Sequence, residues 1–213
     1  MSILIQQKRE RIQSVDDREV RLCLMCCYLF AARISEVVTY ASPGDHKTNP
    51  RGPKGTEVRT DAFKLGPIEE EAAIYTVRTA KRRGLVRLVV LPLNERYEPW
   101  TKILYDFYDE VGDNRLFPFT RQKAWSKAKE AFQGLQYSTG GYSKNKNYFA
   151  PRNRPFNLHA LRHVRATSLV SDFGFDSFDL SSFAGWNLKR SSMSRYLHLG
   201  WQRCFPKLLK DHI

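Results

Sequence analysis

The residue pair with the clearest chemical signal in this sequence is His159 and Arg162, in the segment His-Ala-Leu-Arg. Side chains three positions apart on a helix lie on one face, with their Cβ atoms about 5 to 6 Å apart. An imidazole and a guanidinium at that spacing form a clamp for the non-bridging oxygens of a phosphate, because a guanidinium donates two parallel hydrogen bonds. The same pair also occurs by chance on solvated helix faces, so its meaning depends on the residues around it.

The charge of the chain points to a polyanionic partner. The 213 residues include 35 Lys and Arg against 22 Asp and Glu, a formal net charge of +13 and a pI near 9.7. Each phosphate that such a side chain neutralises releases condensed counterions, so an excess of this size is typical of nucleic-acid-binding proteins. An anionic membrane surface or simple solubility are the alternative interpretations of a basic surface.

The segment from residue 131 to residue 171 has no acidic side chain, and its first half interleaves Tyr with Gly, Asn and Ser. That composition suits a phosphate backbone, while a flexible basic loop is the alternative. We expect DNA contacts from basic residues of this segment and of a basic turn near residue 82. The expected DNA-binding residues are Arg82, Arg83, Lys144, Lys146, Arg152, Arg154 and Arg165.

Composition and cysteine usage exclude several classes of protein. With 42% hydrophobic residues the chain can bury a core, and its longest nearly apolar run, 22–32, is too short to cross a bilayer. Cys23 and Cys26 form a CxxC, but no second ligand pair with zinc-like spacing follows, and they lie in an apolar helical pattern. We therefore expect buried thiols, no metal site, no membrane association and a cytoplasmic location.

The hydrophobic periodicity predicts more helix than strand. A first helix is predicted to begin near Ser14 and run to about Leu29, and a second to open at Arg33. β-rich runs at 73–77 and 85–91 flank a basic turn and predict an antiparallel hairpin. Further helices are predicted at 97–111, 120–135, 158–170 (capped by Asn157), 176–184 and 188–199, and exposed loops at 41–57 and 136–155. We expect one domain, 1–213, of the α+β class, mainly α-helical with a small antiparallel sheet.

Four segments stand in an order that matches a known enzyme family. They are AARISE at 31–36, VRTAKRRGLVRLVVLP at 77–92, LHALRHVRATSL at 158–169 and FAGWNLKRSSMSRYLHL at 183–199. In this order and these contexts they resemble the catalytic domain of the tyrosine recombinase, or phage-type integrase, family. The resemblance spans about residues 15 to 200 and implies that family's catalytic-domain fold.

The resemblance implies a catalytic role for three residues above all. Arg33 and Arg162 would hold the scissile phosphate and stabilise the charge of its pentacoordinate transition state. Tyr196 would attack phosphorus and form a 3′-phosphotyrosine with a free 5′-hydroxyl. A phenol with a pKa near 10 needs a positive field to act as nucleophile, and the guanidiniums would supply it.

Four further residues would complete the site by the same resemblance. Lys81 would protonate the leaving 5′-oxygen, and His159 would assist proton transfer or position the phosphate. Trp186 would donate its indole N–H to the phosphate, and Glu36 would orient the groups that touch it. The resemblance implies no metal and no cofactor, because the phosphotyrosine conserves the energy of the broken bond.

Two features depart from the family pattern. Many members have His where this chain has Trp186, and the gap from Trp186 to Tyr196 is about one residue longer than usual. Members usually also carry an N-terminal helical domain that clamps the far side of the DNA, whereas here only about fifteen residues precede the first expected catalytic-domain helix. A lone domain should bind DNA through fewer phosphate contacts and therefore more weakly.

Three functions remain open from the sequence. The first is a site-specific DNA recombinase that acts on double-stranded DNA as a dimer or tetramer and is a monomer when free. The second is a type IB topoisomerase, which would relax supercoils as a monomer, and the third is an integrase remnant that binds DNA without cutting it. The apolar tail, 200–209, would dock on a neighbouring protomer in the first case, or pack on its own domain.

Overall fold

The chain folds into a mixed α+β structure. The structure, a computed structural model, describes residues 2–40, 52–65, 68–79, 85–142, 149–186 and 200–209. About half of these residues are helical, and three strands form a small antiparallel sheet. The predicted α+β class with a small antiparallel sheet is confirmed. Within the described ranges, no helix is long and apolar enough to span a membrane.

The elements follow one another in a simple order along the chain. The helices are α1 (Ser2–Gln13), α2 (Arg18–Leu29), α3 (Ile34–Val37), α4 (Pro99–Val111), α5 (Arg121–Ala131), α6 (Leu158–Ser171), α7 (Ser177–Ala184) and α8 (Gly200–Leu208). The strands are β1 (Val58–Leu65), β2 (Ile68–Arg78), β3 (Val86–Pro92), β4 (Gln136–Tyr142) and β5 (Phe149–Pro155). The predicted helix at 188–199 lies outside the described residues, and α1 and α8 were not predicted.

Helix α2 lies at the centre of the core. It begins after Asp17, whose side chain accepts a hydrogen bond from the backbone N–H of Val20 at 3.0 Å, and its residues from Leu22 to its end are buried. The cysteines of this helix are free thiols, and burial raises the pKa of Cys23 and Cys26. The described residues contain no group of His, Cys, Asp or Glu that could hold a metal ion. The prediction of buried helical cysteines is confirmed.

The three-stranded sheet places one face against α2 and the other against α8. Its strands run in the order β1-β2-β3, and the predicted hairpin is β2 paired with β3, with Tyr75 opposite Val89. The turn at 80–84 lies outside the described residues. Strand β1 was not predicted, because it is an edge strand whose residues from Arg59 to Ala62 are exposed, so its sequence has no clear apolar alternation.

The structure corrects the predicted loop at 136–155 and the described part, 52–57, of the loop predicted at 41–57; residues 41–51 lie outside the described residues. The segment 136–155 contains the antiparallel pair β4–β5, with Tyr137 opposite Arg154, in place of an exposed loop. Its Gly, Asn and Pro content hid strands that their main-chain pairing stabilises. In the segment 41–57, the described part is largely packed: Gly52 and Pro53 are buried, and Gly55 begins a turn of 3₁₀ helix. An added Cβ at Gly55 would lie 2.2 Å from the carbonyl oxygen of Tyr108, so this turn fits closely on α4.

Helices α6 and α7 have the ends that their sequences favour. Asn157 accepts hydrogen bonds from the backbone N–H groups of His159 and Ala160 at 2.9 and 3.1 Å, as predicted for the cap of α6. Gly174 follows α6 with φ +67°, a left-handed conformation in which an L side chain is strained. Gly185 ends α7 in the same way. These two turns fix where the chain leaves each helix.

Helix α8 packs on its own chain. Phe205 is buried against Ala72, Ile74 and Val90 on the outer face of the sheet, and its ring centroid lies 4.6 Å from that of Phe63. The ammonium of Lys207, two residues further along α8, forms an ion pair with the buried carboxylate of Asp179 on α7 at 2.6 Å. Of the two alternatives for the apolar tail, the structure therefore shows packing in cis.

Because Phe205 packs within its own chain, truncating it should lower stability by the same amount at every protein concentration. We expect Phe205→Ala to lower the free energy of unfolding by about 3 kcal/mol, since a buried aromatic leaves a cavity. Leu85→Ala, at a side chain that is 49% exposed, is the matched control and should change stability by less than about 0.5 kcal/mol. Urea unfolding at two protein concentrations measures both. A loss that appears only at high concentration would indicate docking in trans.

Candidate active site

A single buried carboxylate, that of Glu36, organises the candidate site. Arg33 immediately precedes α3, and its backbone N–H donates to Oε2 of Glu36 at 3.1 Å. The guanidinium of the same arginine donates from Nη1 to Oε1 at 3.0 Å. The side chain of Glu36 is 1% exposed, whereas that of Arg33 is 26% exposed. The short helix thus turns a carboxylate inward and leaves one guanidinium at the surface.

Two further arginines from distant parts of the chain reach the same carboxylate. Nη2 of Arg87, on β3, lies 3.6 Å from Oε2 of Glu36, and Nη1 of Arg162, on α6, lies 3.7 Å from the same oxygen. Both guanidiniums are almost fully buried. We call these four residues, Arg33, Glu36, Arg87 and Arg162, the Glu36 cluster. It holds three positive charges against one negative charge.

The buried arginines are also anchored by the carboxyl ends of two helices. Nη2 of Arg162 donates to the carbonyl of Ala184 at 2.7 Å, and Nη1 of Arg87 donates to the carbonyl of Phe183. Nη2 of Arg87 donates to the carbonyl of Phe30, just after α2, at 2.9 Å. The last carbonyls of a helix have no partner within the helix and carry its negative dipole end. The guanidiniums satisfy these carbonyls and hold α2 and α7 together.

The net positive charge of the cluster favours binding of an anion. Burial, with the charges of Arg33 and Arg87 adding and that of Glu36 opposing, lowers the pKa of Arg162 to about 10. Burial also lowers the pKa of Arg87 to about 10, although Glu36 opposes it. Both groups stay protonated at pH 7. Nη1 of Arg162 is buried and has no hydrogen-bond partner among the described residues. A buried, charged N–H that lies 3.7 Å from the nearest carboxylate oxygen and donates no hydrogen bond is a group that an oxyanion would satisfy.

Trp186 lies directly beside this cluster. The guanidinium carbon of Arg162 lies 5.7 Å from the centroid of its indole ring, which is the geometry of a cation–π contact. Its backbone is fixed on α7, since its N–H donates to the carbonyl of Ser181 at 3.1 Å and the hydroxyl of Ser181 donates back to its carbonyl at 2.7 Å. Gly185 supplies the turn that brings the ring to this position.

His159 occupies the first turn of α6, one turn before Arg162, and is exposed. Its ring meets that of His163 edge-on with centroids 4.6 Å apart, and His163 stacks on Tyr137 at 6.5 Å. Burial and the charge of Arg162 lower the pKa of His163, which favours a neutral ring. His159 also lines a groove of about 750 Å³ together with Ile34, Arg121, Trp125 and Lys129. The lining of this groove is mainly apolar, and Ile34 in it is the chain neighbour of Arg33.

The structure brings together part of the set that the sequence singled out. Arg33, Glu36, Arg162 and Trp186 converge, and His159 lies one turn before Arg162 on the same helix. Arg152 and Arg154 lie on β5, and only their backbone is described. Six predicted residues lie outside the described residues: Lys81, Arg82, Arg83, Lys144, Lys146 and Tyr196.

Arg165 requires a correction. It was predicted to contact DNA, but it is 2% exposed and packs between the rings of Tyr28 and Phe173, with its guanidinium carbon 5.4 Å from each centroid. A side chain in that position cannot reach a phosphate backbone. The error arose because Arg165 follows Arg162 by three residues in an acid-free stretch, and composition alone does not distinguish the two positions.

Arg87 is the residue of the cluster that the sequence analysis missed. It stands in the apolar strand VRLVVLP, where a charged side chain should be solvated unless it has buried partners. A charged residue inside an apolar strand was therefore the sequence signal that could have identified Arg87. A family match would have supplied another, but the chain matches no family model, no curated protein and no solved structure.

The fit of Gly185 against Arg87 gives a matched test of this packing. A Cβ at Gly185 would lie 3.0 Å from Cδ of Arg87 and 3.2 Å from Cγ2 of Thr79, whereas one at Gly174 would meet nothing within 4 Å, at nearly the same φ. We expect both Gly→Ala variants to lose about 1 kcal/mol from left-handed strain. Gly185→Ala should lose about 1 kcal/mol more through crowding of Arg87. Chemical denaturation measures the stability of both variants. Equal losses of stability would show that the Arg87 side chain moves aside without an energetic cost.

Proposed function

We propose that this protein is a site-specific DNA recombinase of the tyrosine type, which breaks and rejoins DNA strands through a covalent 3′-phosphotyrosine. The observation that carries the proposal is the Glu36 cluster, in which three guanidiniums share one carboxylate and Nη1 of Arg162 has no hydrogen-bond partner among the described residues. An excess of buried positive charge with an unpaired donor suits a backbone phosphate.

Two of the arginines would bind the scissile phosphate. Arg33 is the partly exposed member of the cluster, so a phosphate could approach from its side and accept hydrogen bonds from both Arg33 and Arg162. As phosphorus becomes pentacoordinate, negative charge grows on the non-bridging oxygens. Donors that are already fixed by Glu36 and by the carbonyl of Ala184 need little reorganisation to stabilise that charge.

The covalent step would follow the roles implied by the family resemblance. The phenol oxygen of Tyr196 forms a bond to phosphorus as the bond from phosphorus to the 5′-oxygen breaks. The phenol proton passes to His159, and Lys81 gives a proton to the leaving 5′-oxygen. Attack by a 5′-hydroxyl on the phosphotyrosine reverses these transfers and rejoins the strand. The step conserves the phosphodiester and requires no oxidant, reductant or nucleotide.

The order of the elements supports the proposal at the level of the fold. An arginine and a glutamate at the start of a short helix are followed by a three-stranded antiparallel sheet, then by the helix with His159 and Arg162, and then by the turn with Trp186. We propose that these elements form the catalytic-domain fold of the tyrosine recombinases. The protein would then act on double-stranded DNA as a dimer or tetramer assembled on its sites.

Covalent trapping on a nicked suicide duplex tests the proposal. The duplex comes from the protein's own genomic neighbourhood, and loss of the short fragment beside the nick prevents religation. We expect wild type and the control variant Tyr105→Phe to give a shifted band on a denaturing gel, and Tyr196→Phe to give none, because the nucleophile is removed.

Each other outcome of this experiment has a definite meaning. Salt-sensitive binding of the same duplex by wild type without any adduct would contradict strand cleavage and identify a DNA-binding protein that does not cut. An adduct that persists in Tyr196→Phe would contradict the assignment of the nucleophile. Adduct formation together with relaxation of supercoiled plasmid, and without preference for the genomic site, would identify a topoisomerase of type IB.

A further inference from the structure

We propose that Arg87 is a positioning residue for the phosphate site, whose fixed positive charge shares Glu36 with Arg162 and so keeps Arg162 available to an anion. This inference rests on the proposed phosphate site, but not on the covalent step. It assigns a function to a third arginine that does not itself touch the substrate.

The hydrogen bonds of Arg87 show why it cannot bind the phosphate directly. Its two terminal nitrogens donate to the carbonyls of Phe183 and Phe30. The side chain is only 5% exposed, and its N–H on Nε is buried, with an added Cβ at Gly185 only 3.4 Å from that nitrogen. The guanidinium is therefore held behind the site by main-chain groups of two helices. Its position does not depend on a substrate.

Arg87 and Arg162 lie at nearly equal distances from one oxygen of Glu36. Oε2 lies 3.6 Å from Nη2 of Arg87 and 3.7 Å from Nη1 of Arg162, and both distances are beyond hydrogen-bonding range. Oε1 of the same carboxylate accepts a hydrogen bond from the guanidinium of Arg33 at 3.0 Å. Without Arg87, two guanidiniums would therefore share Glu36, and the net charge of the cluster would fall from +2 to +1. With Arg87 present, the charge of Glu36 is divided, and the cluster stays positive where the phosphate would bind.

Every charged group that faces Arg87 belongs to the Glu36 cluster in the described part of the chain. Glu36 and Arg33 lie on the side of α3, and Arg162 lies on the side of α6. At the ends of α2 and α7, Arg87 donates hydrogen bonds to main-chain carbonyls. A change of charge at position 87 should therefore be felt mainly by Arg162 and Arg33.

Binding of inorganic sulfate by calorimetry separates charge from packing. Sulfate is a tetrahedral dianion that does not titrate between pH 7 and 9, so it isolates the charge of the protein. We expect Arg87→Met to bind sulfate about tenfold more weakly than wild type, and Arg87→Lys to stay within about threefold at pH 7, because Lys keeps the positive charge. Arg162→Met should abolish the binding. Arg18→Met, at an exposed ion pair with Glu110, should leave it unchanged.

The pH dependence of sulfate binding separates charge from packing, because an effect of packing alone would not change with pH. Burial lowers the pKa of a lysine, so the amine of the Arg87→Lys variant should lose its proton as pH rises toward 9. Its sulfate affinity should then fall toward that of Arg87→Met, while wild type stays constant because the guanidinium of Arg87, with a pKa of about 10, remains largely protonated over this range. This profile decides the question even if Arg87→Met fails to fold by circular dichroism.

Two results would overturn the inference. One is sulfate affinity that is the same in wild type and a folded Arg87→Met. The other is an Arg87→Lys variant whose affinity does not change between pH 7 and 9. If wild type formed no covalent adduct on the duplex, the proposed recombinase function would be wrong, but the sulfate results would still hold. Failure of the proposed function and failure of this inference are therefore distinguishable.

Discussion

The sharing of the Glu36 carboxylate by three guanidiniums is the interaction on which the architecture of the site depends. Burying three charged groups, Glu36, Arg87 and Arg162, is costly, and only close pairing and hydrogen bonds offset the loss of hydration. Here the partners come from five places: the start of α3, strand β3, helix α6 and the carboxyl ends of α2 and α7. Elements that are far apart in sequence are therefore fixed around one carboxylate.

The charge balance separates this cluster from an ordinary structural network. A network that only held helices together would be most stable with equal numbers of opposite charges and no unpaired donor. This one has an excess of positive charge, and Nη1 of Arg162 lacks a hydrogen-bond partner among the described residues. Trp186 lies beside that excess, and the partly exposed Arg33 brings it to the surface. These features together favour a phosphate ligand over a purely structural role.

Short sequence patterns correctly predicted the structural features that depend only on neighbouring residues. The cap at Asn157, the hairpin of β2 and β3 and the helical cysteines each follow from a few neighbouring residues. The pairing of β4 with β5 and the docking of α8 depend on partners that periodicity does not identify. The strand pair was missed, and packing of the apolar tail on its own domain was one of two alternatives left open. Within the site, ordered motifs identified Arg33, Glu36 and Arg162. They did not separate Arg165 from Arg162 or find Arg87, because burial on a helix face or inside a strand is set by tertiary packing.

A crystal structure of the protein bound to a nicked duplex from its own genomic neighbourhood tests the central claim most directly. The account predicts one backbone phosphate with oxygens about 3 Å from Nη1 of Arg162 and from the guanidinium of Arg33, with Glu36 and Arg87 placed as they are in the free protein. A duplex bound on another face of the molecule, with no phosphate near the Glu36 cluster, would contradict it.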